Sequence, residues 1–251
     1  MDCFQIFDYD TFMKRLDTFL VEKRFVESRN KAQTLIKEGV VSVNGCVVKK
    51  ASLKVEEDAV VTVSAHKSYV SRAAFKLDAF LEELRLDVKD CVALDIGSST
   101  GGFTQVLLER GVESVSCVDV GHDQLHYSLR ENARVLVFEG CDIRDFRPTN
   151  SFDLVVSDVA FISLLHILDD VDRLATQDII LLFKPQFEVG REVKRDKNGV
   201  VQDKKAIERA MIRFEDATQM KGWKMQQKSP SSLAGKDGNL EYCYYFTKES
   251  H

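Results

Sequence analysis

Short apolar runs at 92–96, 115–118, 135–138, 154–156 and 179–183 punctuate the chain, each rich in Val, Ile, Leu or Phe and separated from the next by polar sequence. That pattern predicts strands buried on both faces of a parallel sheet. The first run breaks into Gly97-Ser98-Ser99-Thr100-Gly101-Gly102, and 103–108, beginning at Phe103, opens a helix. A strand, a glycine-rich turn and a helix in that order mark the place where a doubly wound α/β domain holds a ligand against free helix amides. Nearer the amino terminus the periodicity changes. Leu16, Phe19 and Leu20 make the inner face of one helix; Ala32, Leu35 and Ile36 make that of a second, capped by Ser28 and ended by Gly39. Residues 40–43, Asn44-Gly45 and 46–48 read as a hairpin on a type I′ turn, and 60–63 as a further strand. The expected organisation is a small α+β domain at 1–64, a linker at 65–68 and an α/β domain at 69–251. A chain of 251 residues with 44% hydrophobic content can bury both cores.

Composition narrows the class. Cys3, Cys46, Cys91, Cys117, Cys141 and Cys243 are scattered, form no C-x-x-C pair and read as reduced thiols. No apolar stretch reaches bilayer length, and the amino terminus, with Asp2, Asp8 and Asp10, lacks the order of a secretory signal. A cytoplasmic protein without membrane contact is expected. The net charge of −5 argues against nonspecific nucleic-acid binding by the whole surface. Between Lys14 and Lys54, however, ten basic residues face four acids. Arg15, Arg29, Lys31, Lys37, Lys49 and Lys50 are the candidate RNA contacts; composition alone fits a solvated helical hairpin equally well. His66, His122, His126, His166 and His251 show no ligand spacing with the cysteines, so no metal is expected.

The glycine spacing fits neither G-x-G-x-x-G nor a phosphate-binding P-loop, which disfavours a dinucleotide. Three acids follow in order: Asp95 before the turn, Asp119 after the second run and Asp142 after the third. One alone reads as a strand-end carboxylate; the set suits S-adenosylmethionine, with Asp119 toward a ribose diol and Asp142 toward an adenine. The candidate cofactor contacts are Asp95, Gly97, Ser98, Ser99, Thr100, Gly101, Gly102, Phe103, Asp119, Val120, Cys141, Asp142, Ile143 and Asp158.

The basic segment RLDTFLVEKRFVESRNKAQTLIKEGVVSVNG resembles an S4 RNA-binding domain. YVSRAAFKL, LDIGSSTGGF, SDVAFIS, FKPQFEVG and GNLEYCYY are similar to the TlyA family of ribosomal RNA methyltransferases, also labelled haemolysins, and the resemblance runs from about Lys14 to Phe246. It implies a Rossmann-like, FtsJ-type methyltransferase domain using S-adenosylmethionine, 2′-O-methylation of cytidine in ribosomal RNA, and a Lys-Asp-Lys-Glu tetrad at Lys76, Asp158, Lys184 and Glu241. It departs from many relatives at Ala73-Ala74, which bears on helix packing.

A ribose hydroxyl is a poor nucleophile near neutral pH, so a positioned base must take its proton. Lys184, beside Pro185 after a strongly apolar run, is the expected base, with Asp158 orienting its amine and Lys76 and Glu241 holding the hydroxyl and surrounding charge. The charged segment 190–205 reads as a mobile loop that folds over RNA. Two rival functions remain at this point: a noncatalytic RNA-binding or ribosome-assembly factor, and a membrane-active cytolysin, for which no strongly amphipathic apolar segment speaks. An enzyme that docks on ribosomal subunits through two domains can act as a monomer.

Overall fold

The computed structural model describes residues 13–63 and 69–248; the expected linker at 65–68, Cys3, His66 and His251 lie outside the described residues. The chain divides into two compact units, Met1–Ser68 and Tyr69–His251.

The first unit runs β1 (Met13–Arg15), α1 (Leu16–Glu22), α2 (Arg29–Glu38), β2 (Val41–Val43), β3 (Cys46–Val47), β4 (Lys54–Glu56) and β5 (Val61–Val63). Ser28 Oγ accepts the Lys31 amide at 3.3 Å, and Gly39 closes α2 in the left-handed conformation. Asn44 and Gly45, at φ +50° and +80°, make the type I′ turn that joins β2 to β3. Leu16, Phe19, Leu20, Ala32, Leu35 and Ile36 are buried together, as the helical spacing predicts. The antiparallel β1–β4 pair was not visible in the pattern: most of its side chains are exposed, and pairing across the chain defines it rather than an apolar run.

The second unit runs α3 (Ala73–Leu84), β6 (Val92–Ile96), α4 (Gly102–Glu109), β7 (Ser114–Asp119), α5 (Tyr127–Arg130), β8 (Val135–Glu139), β9 (Phe152–Ser157), α6 (Leu168–Leu174), β10 (Ala175–Phe183), α7 (Pro185–Glu188), α8 (Lys204–Met220), β11 (Lys224–Pro230) and β12 (Tyr242–Thr247). Its seven strands form one sheet in the order β11-β12-β10-β9-β6-β7-β8, parallel except for β12. The five apolar runs are β6 to β10. Leu94, Val155, Leu181, Phe183, Phe214 and Tyr244 are buried on one side of this sheet; Leu77, Phe80, Val106, Leu154, Val156 and Leu182 on the other. Burying each such side chain contributes about 1.5–3 kcal/mol before the entropy of ordering it is subtracted.

This topology places the chemistry. Chain order reverses between β6 and β9, the switch point at which open α/β sheets leave a crevice beyond the carboxyl ends of their strands. Asp158 directly follows β9 and Lys184 directly follows β10. Because β12 is antiparallel, with Tyr242 opposite Phe183, Glu241 just before it arrives at the same rim.

Candidate active site

The glycine turn is built around a buried acid. Asp95, near the end of β6, is fully buried, and its Oδ2 accepts the Thr104 amide at 3.0 Å and the Thr104 hydroxyl at 2.7 Å, tying the strand to the first turn of α4. Its Oδ1 has no hydrogen-bond partner, and burial pushes the carboxyl up to about 7. The glycines also allow close packing of protein on the turn. A Cβ at Gly97 would lie 3.1 Å from the Val159 backbone; at Gly101, 2.3 Å from Leu129 Cδ1; at Gly102, 2.1 Å from Ser71 Oγ and 3.0 Å from the Ala74 amide. The missing side chains let protein elements close on one another. At Gly102 that element is the start of α3, where the Ala73-Ala74 departure falls.

Two cavities open along this rim. One, of about 360 Å³, is bordered by Asp119, Val120, Cys141, Asp142 and Ile143; the other, of about 750 Å³, by Asp95, Ser98, Thr100, Gly102 and Phe103 together with Lys76 and Lys184. Gly97, Ser99 and Asp158 border both. Of the fourteen candidate cofactor contacts only Gly101 borders neither, because it is packed behind the turn against Leu125 and Leu129. Asp119 accepts the Ser99 amide through Oδ2 at 2.8 Å and the Gly121 amide through Oδ1 at 2.7 Å, so the acid also shapes the turn. Asp142 is gripped by Arg144, with Nε donating to Oδ1 at 2.9 Å and Nη2 to Oδ2 at 2.6 Å, which holds its carboxyl below the usual range.

At the larger cavity two buried lysine–carboxylate pairs meet. Lys76 Nζ, from α3, lies 2.5 Å from Glu241 Oε2, and Lys184 Nζ lies 2.6 Å from Asp158 Oδ1. Lys184 also donates to the Asp158 carbonyl at 3.3 Å. All four residues thus gather at one rim, with at most 15% of any of these side chains exposed. Gln186 Nε2 donates to Glu241 Oε1 at 3.4 Å, a contact its place in FKPQFE did not announce. The sequence reading also missed Phe161. It sits at φ +66°, 92% exposed, borders the smaller cavity and lies 5.4 Å from the Phe187 ring. A large side chain held in left-handed backbone on the surface is an outlier with a cost, and such outliers cluster at binding sites.

The segment 190–205 is irregular up to α8 and carries one isolated bridge. Its last two residues belong to α8, capped by Asp203, and the rest is pinned as a small hairpin through an Arg195–Val201 bridge. Arg195 donates to the carbonyls of Gln186, Gly190 and Val193 at 2.9, 3.0 and 2.8 Å, and Asn239 Oδ1 accepts the Val201 amide at 3.0 Å. Lys194 and Lys197 face solvent.

In the first unit all six candidate RNA contacts are exposed. Arg15 and Arg29 are nonetheless partly committed to structure: both reach the buried Asp17, which also accepts from Gln33 Nε2 at 2.8 Å. The Arg15 guanidinium, seconded by Gln33 and Arg29, holds that carboxyl well below the usual range. Among the described residues no helix is long and apolar enough to cross a membrane.

Comparison with known proteins agrees with this geometry. Residues 69–248 match the FtsJ-like methyltransferase family and residues 14–61 the S4 domain. A 23S rRNA (cytidine-2′-O)-methyltransferase TlyA from Campylobacter jejuni is 45% identical across 92% of this chain and 98% of its own length. A 16S/23S rRNA (cytidine-2′-O)-methyltransferase TlyA from Mycobacterium tuberculosis is 38% identical across 94% and 90%. A solved structure from Streptococcus thermophilus described as a hemolysin is 30% identical, covers 95% of this chain and 90% of its own, and superposes with a TM-score of 0.70. With the sheet order, the turn at the switch point and matches of this extent, the chain belongs to the TlyA branch of the FtsJ-like methyltransferases and carries an S4 domain.

Proposed function

We propose that this protein methylates the ribose 2′-hydroxyl of a cytidine in ribosomal RNA, using S-adenosylmethionine as donor. Large-subunit RNA is the first candidate substrate and small-subunit RNA the second. The observation that carries this reading is that Lys76, Asp158 and Lys184 border one cavity beside the glycine turn, with Glu241 paired to Lys76.

The residues present suit the donor. Asp119 and Asp142 offer carboxylates, and Val120 and Ile143 apolar walls, to a nucleoside; the unpartnered Asp95 Oδ1 suits a cationic amino-acid end beside the larger cavity. Bound there, S-adenosylmethionine supplies an electrophilic methyl group on sulfur. Lys184, held by Asp158, would be the group placed to take the proton of a ribose hydroxyl directed at that methyl. The Lys76–Glu241 pair fixes the local charge and the hydroxyl's position, and Phe161 offers a flat apolar surface at the rim for a base.

In this reading the S4 unit supplies RNA contact through Lys31, Lys37, Lys49 and Lys50 and the free parts of Arg15 and Arg29, while the unit from Tyr69 supplies chemistry. One copy carries all four tetrad residues, so no second subunit is required, and the site of action is the cytoplasm where ribosomal subunits are found. The test is transfer of labelled methyl from S-adenosylmethionine to ribosomal subunits lacking the modification. Wild type is expected to label a cytidine ribose. Lys184→Ala is expected to bind the donor normally and lose at least about 100-fold in rate. Transfer by Lys184→Ala at the wild-type rate would falsify the assignment of the base; absence of donor binding by wild type would favour a noncatalytic role.

A further inference from the structure

We infer that Glu188 is a positioning residue for methyl transfer, a buried carboxylate that straps the segment carrying Asp158 and Phe161 to the segment carrying Lys184. The inference rests on the proposed function for its catalytic consequence, and on geometry alone for the strap.

The ladder between β9 and β10 ends at the pair Ser157–Leu181. Beyond it β10 continues only against β12, to Phe183, and the segment after β9 only through the Asp158 amide on Ile96, so backbone pairing no longer fixes one against the other, although the proposed reacting groups sit on both. Three side-chain links cross between them: the Lys184–Asp158 pair, the Phe161–Phe187 ring contact, and Glu188. The first two involve groups that the proposed function places at the substrate. Glu188 touches neither cavity. It is 3% exposed; its Oε2 accepts the Ser163 hydroxyl at 2.5 Å and its Oε1 the Leu164 amide at 2.8 Å. Its own backbone is anchored from a third element, Arg213 Nη2 of α8 donating to the Glu188 carbonyl at 2.5 Å.

A buried carboxylate is costly unless its oxygens are used, and here each oxygen meets a donor from the same short segment. That segment needs restraint, since it holds Phe161 in left-handed backbone. Without Glu188 the Leu164 amide and Ser163 hydroxyl lose their acceptor, and the 158–164 segment keeps its backbone bond from Asp158 to Ile96 and the burial of Leu164 but loses its polar tie to the segment carrying Lys184 that lies outside the proposed reaction. A misplacement of about 1 Å at a reacting group costs on the order of 100-fold in rate.

Glutamine distinguishes a strap from a charge requirement, because its Oε1 can accept the Leu164 amide while its Nε2 donates to Ser163 Oγ. The experiment measures amide hydrogen exchange over 158–164, methyl transfer to ribosomal subunits, and donor affinity for wild type, Glu188→Ala and Glu188→Gln. In Glu188→Ala exchange is expected to rise about tenfold or more and kcat to fall by about 10- to 100-fold, with donor Kd rising about threefold at most. Glu188→Gln is expected to return exchange and kcat to within about threefold of wild type. If Glu188→Ala does not fold, Ser163→Ala, which removes one of the two ties, is expected to show smaller changes in the same direction. Wild-type exchange in the alanine variants, wild-type kcat despite faster exchange, equal losses in kcat and donor affinity, or failure of Gln to rescue would each overturn the inference. A wild-type protein that transfers no methyl group would instead overturn the proposed function, and exchange alone would still decide the strap.

Discussion

Asp17 and Asp95 are both buried aspartates, and their surroundings move them in opposite directions. Asp17 meets Arg15, Arg29 and Gln33, which favour the charged form; Asp95 meets the Thr104 amide and hydroxyl but keeps one oxygen without a partner, and burial favours the neutral form. Asp17 therefore stabilises the folded first unit fully above its unfolded value of about 4, and that contribution fades as pH falls below it. Asp17→Ala is expected to cost about 1–3 kcal/mol at pH 7 in denaturant unfolding, the lower part of that range allowing for the exposure of both arginines. The difference between variant and wild type should shrink toward pH 3; a difference independent of pH would count against the ion-pair origin. The same residues show how far a single position can be read. Charge and spacing marked Arg15 and Arg29 as basic and outward, but nothing local announced that Asp17 turns inward beneath them, since its three partners converge only when α1 and α2 pack.

Elements were legible where a period or a breaker fixes them. The five core strands, the Ser28 cap, the Gly39 stop and the Asn-Gly hairpin all follow from local rules and all occur. The hydrogen bonds within 190–203 were not legible, because they carry no period: Arg195 folds back on the Gln186 and Gly190 carbonyls, and Val201 bonds Asn239, 38 positions away. Polar, aperiodic sequence describes a loop's solvent exposure, not the hydrogen bonds that pin it. Arg195→Ala is expected to release the hairpin, seen as faster tryptic cleavage after Lys194 and Lys197 in the folded protein. Unchanged cleavage would mean that Asp196 and Asn239 suffice to hold it.

At the scale of the whole molecule, an overall charge of −5 coexists with a basic stretch between Lys14 and Lys54, ten basic residues against four acids, so the proposed RNA contact belongs to that local surface rather than to the net charge. Replacing Lys31, Lys37, Lys49 and Lys50 together by alanine is expected to weaken ribosomal RNA binding and to flatten its dependence on salt by up to about one unit of slope for each phosphate no longer neutralised. Donor affinity, which resides in the other unit, should not change. A salt slope equal to that of wild type would remove these lysines from the interface.

The amino-acid sequence by itself determined the kind of sheet, the turn that opens α4, the acids that border its crevice and, through resemblance, which four residues to watch, because strand burial, turn chemistry and motif are properties of neighbours along the chain. Tertiary structure alone decided that Lys76 pairs with Glu241 across 165 positions and Lys184 with Asp158 across 26. It also decided which protein atoms close on the glycines, that Gln186 bonds Glu241, and that Glu188 ties the segments that follow β9 and β10. Those outcomes depend on the reversed direction of β12 and the switch in strand order, which bring distant residues to one rim and which no local pattern encodes.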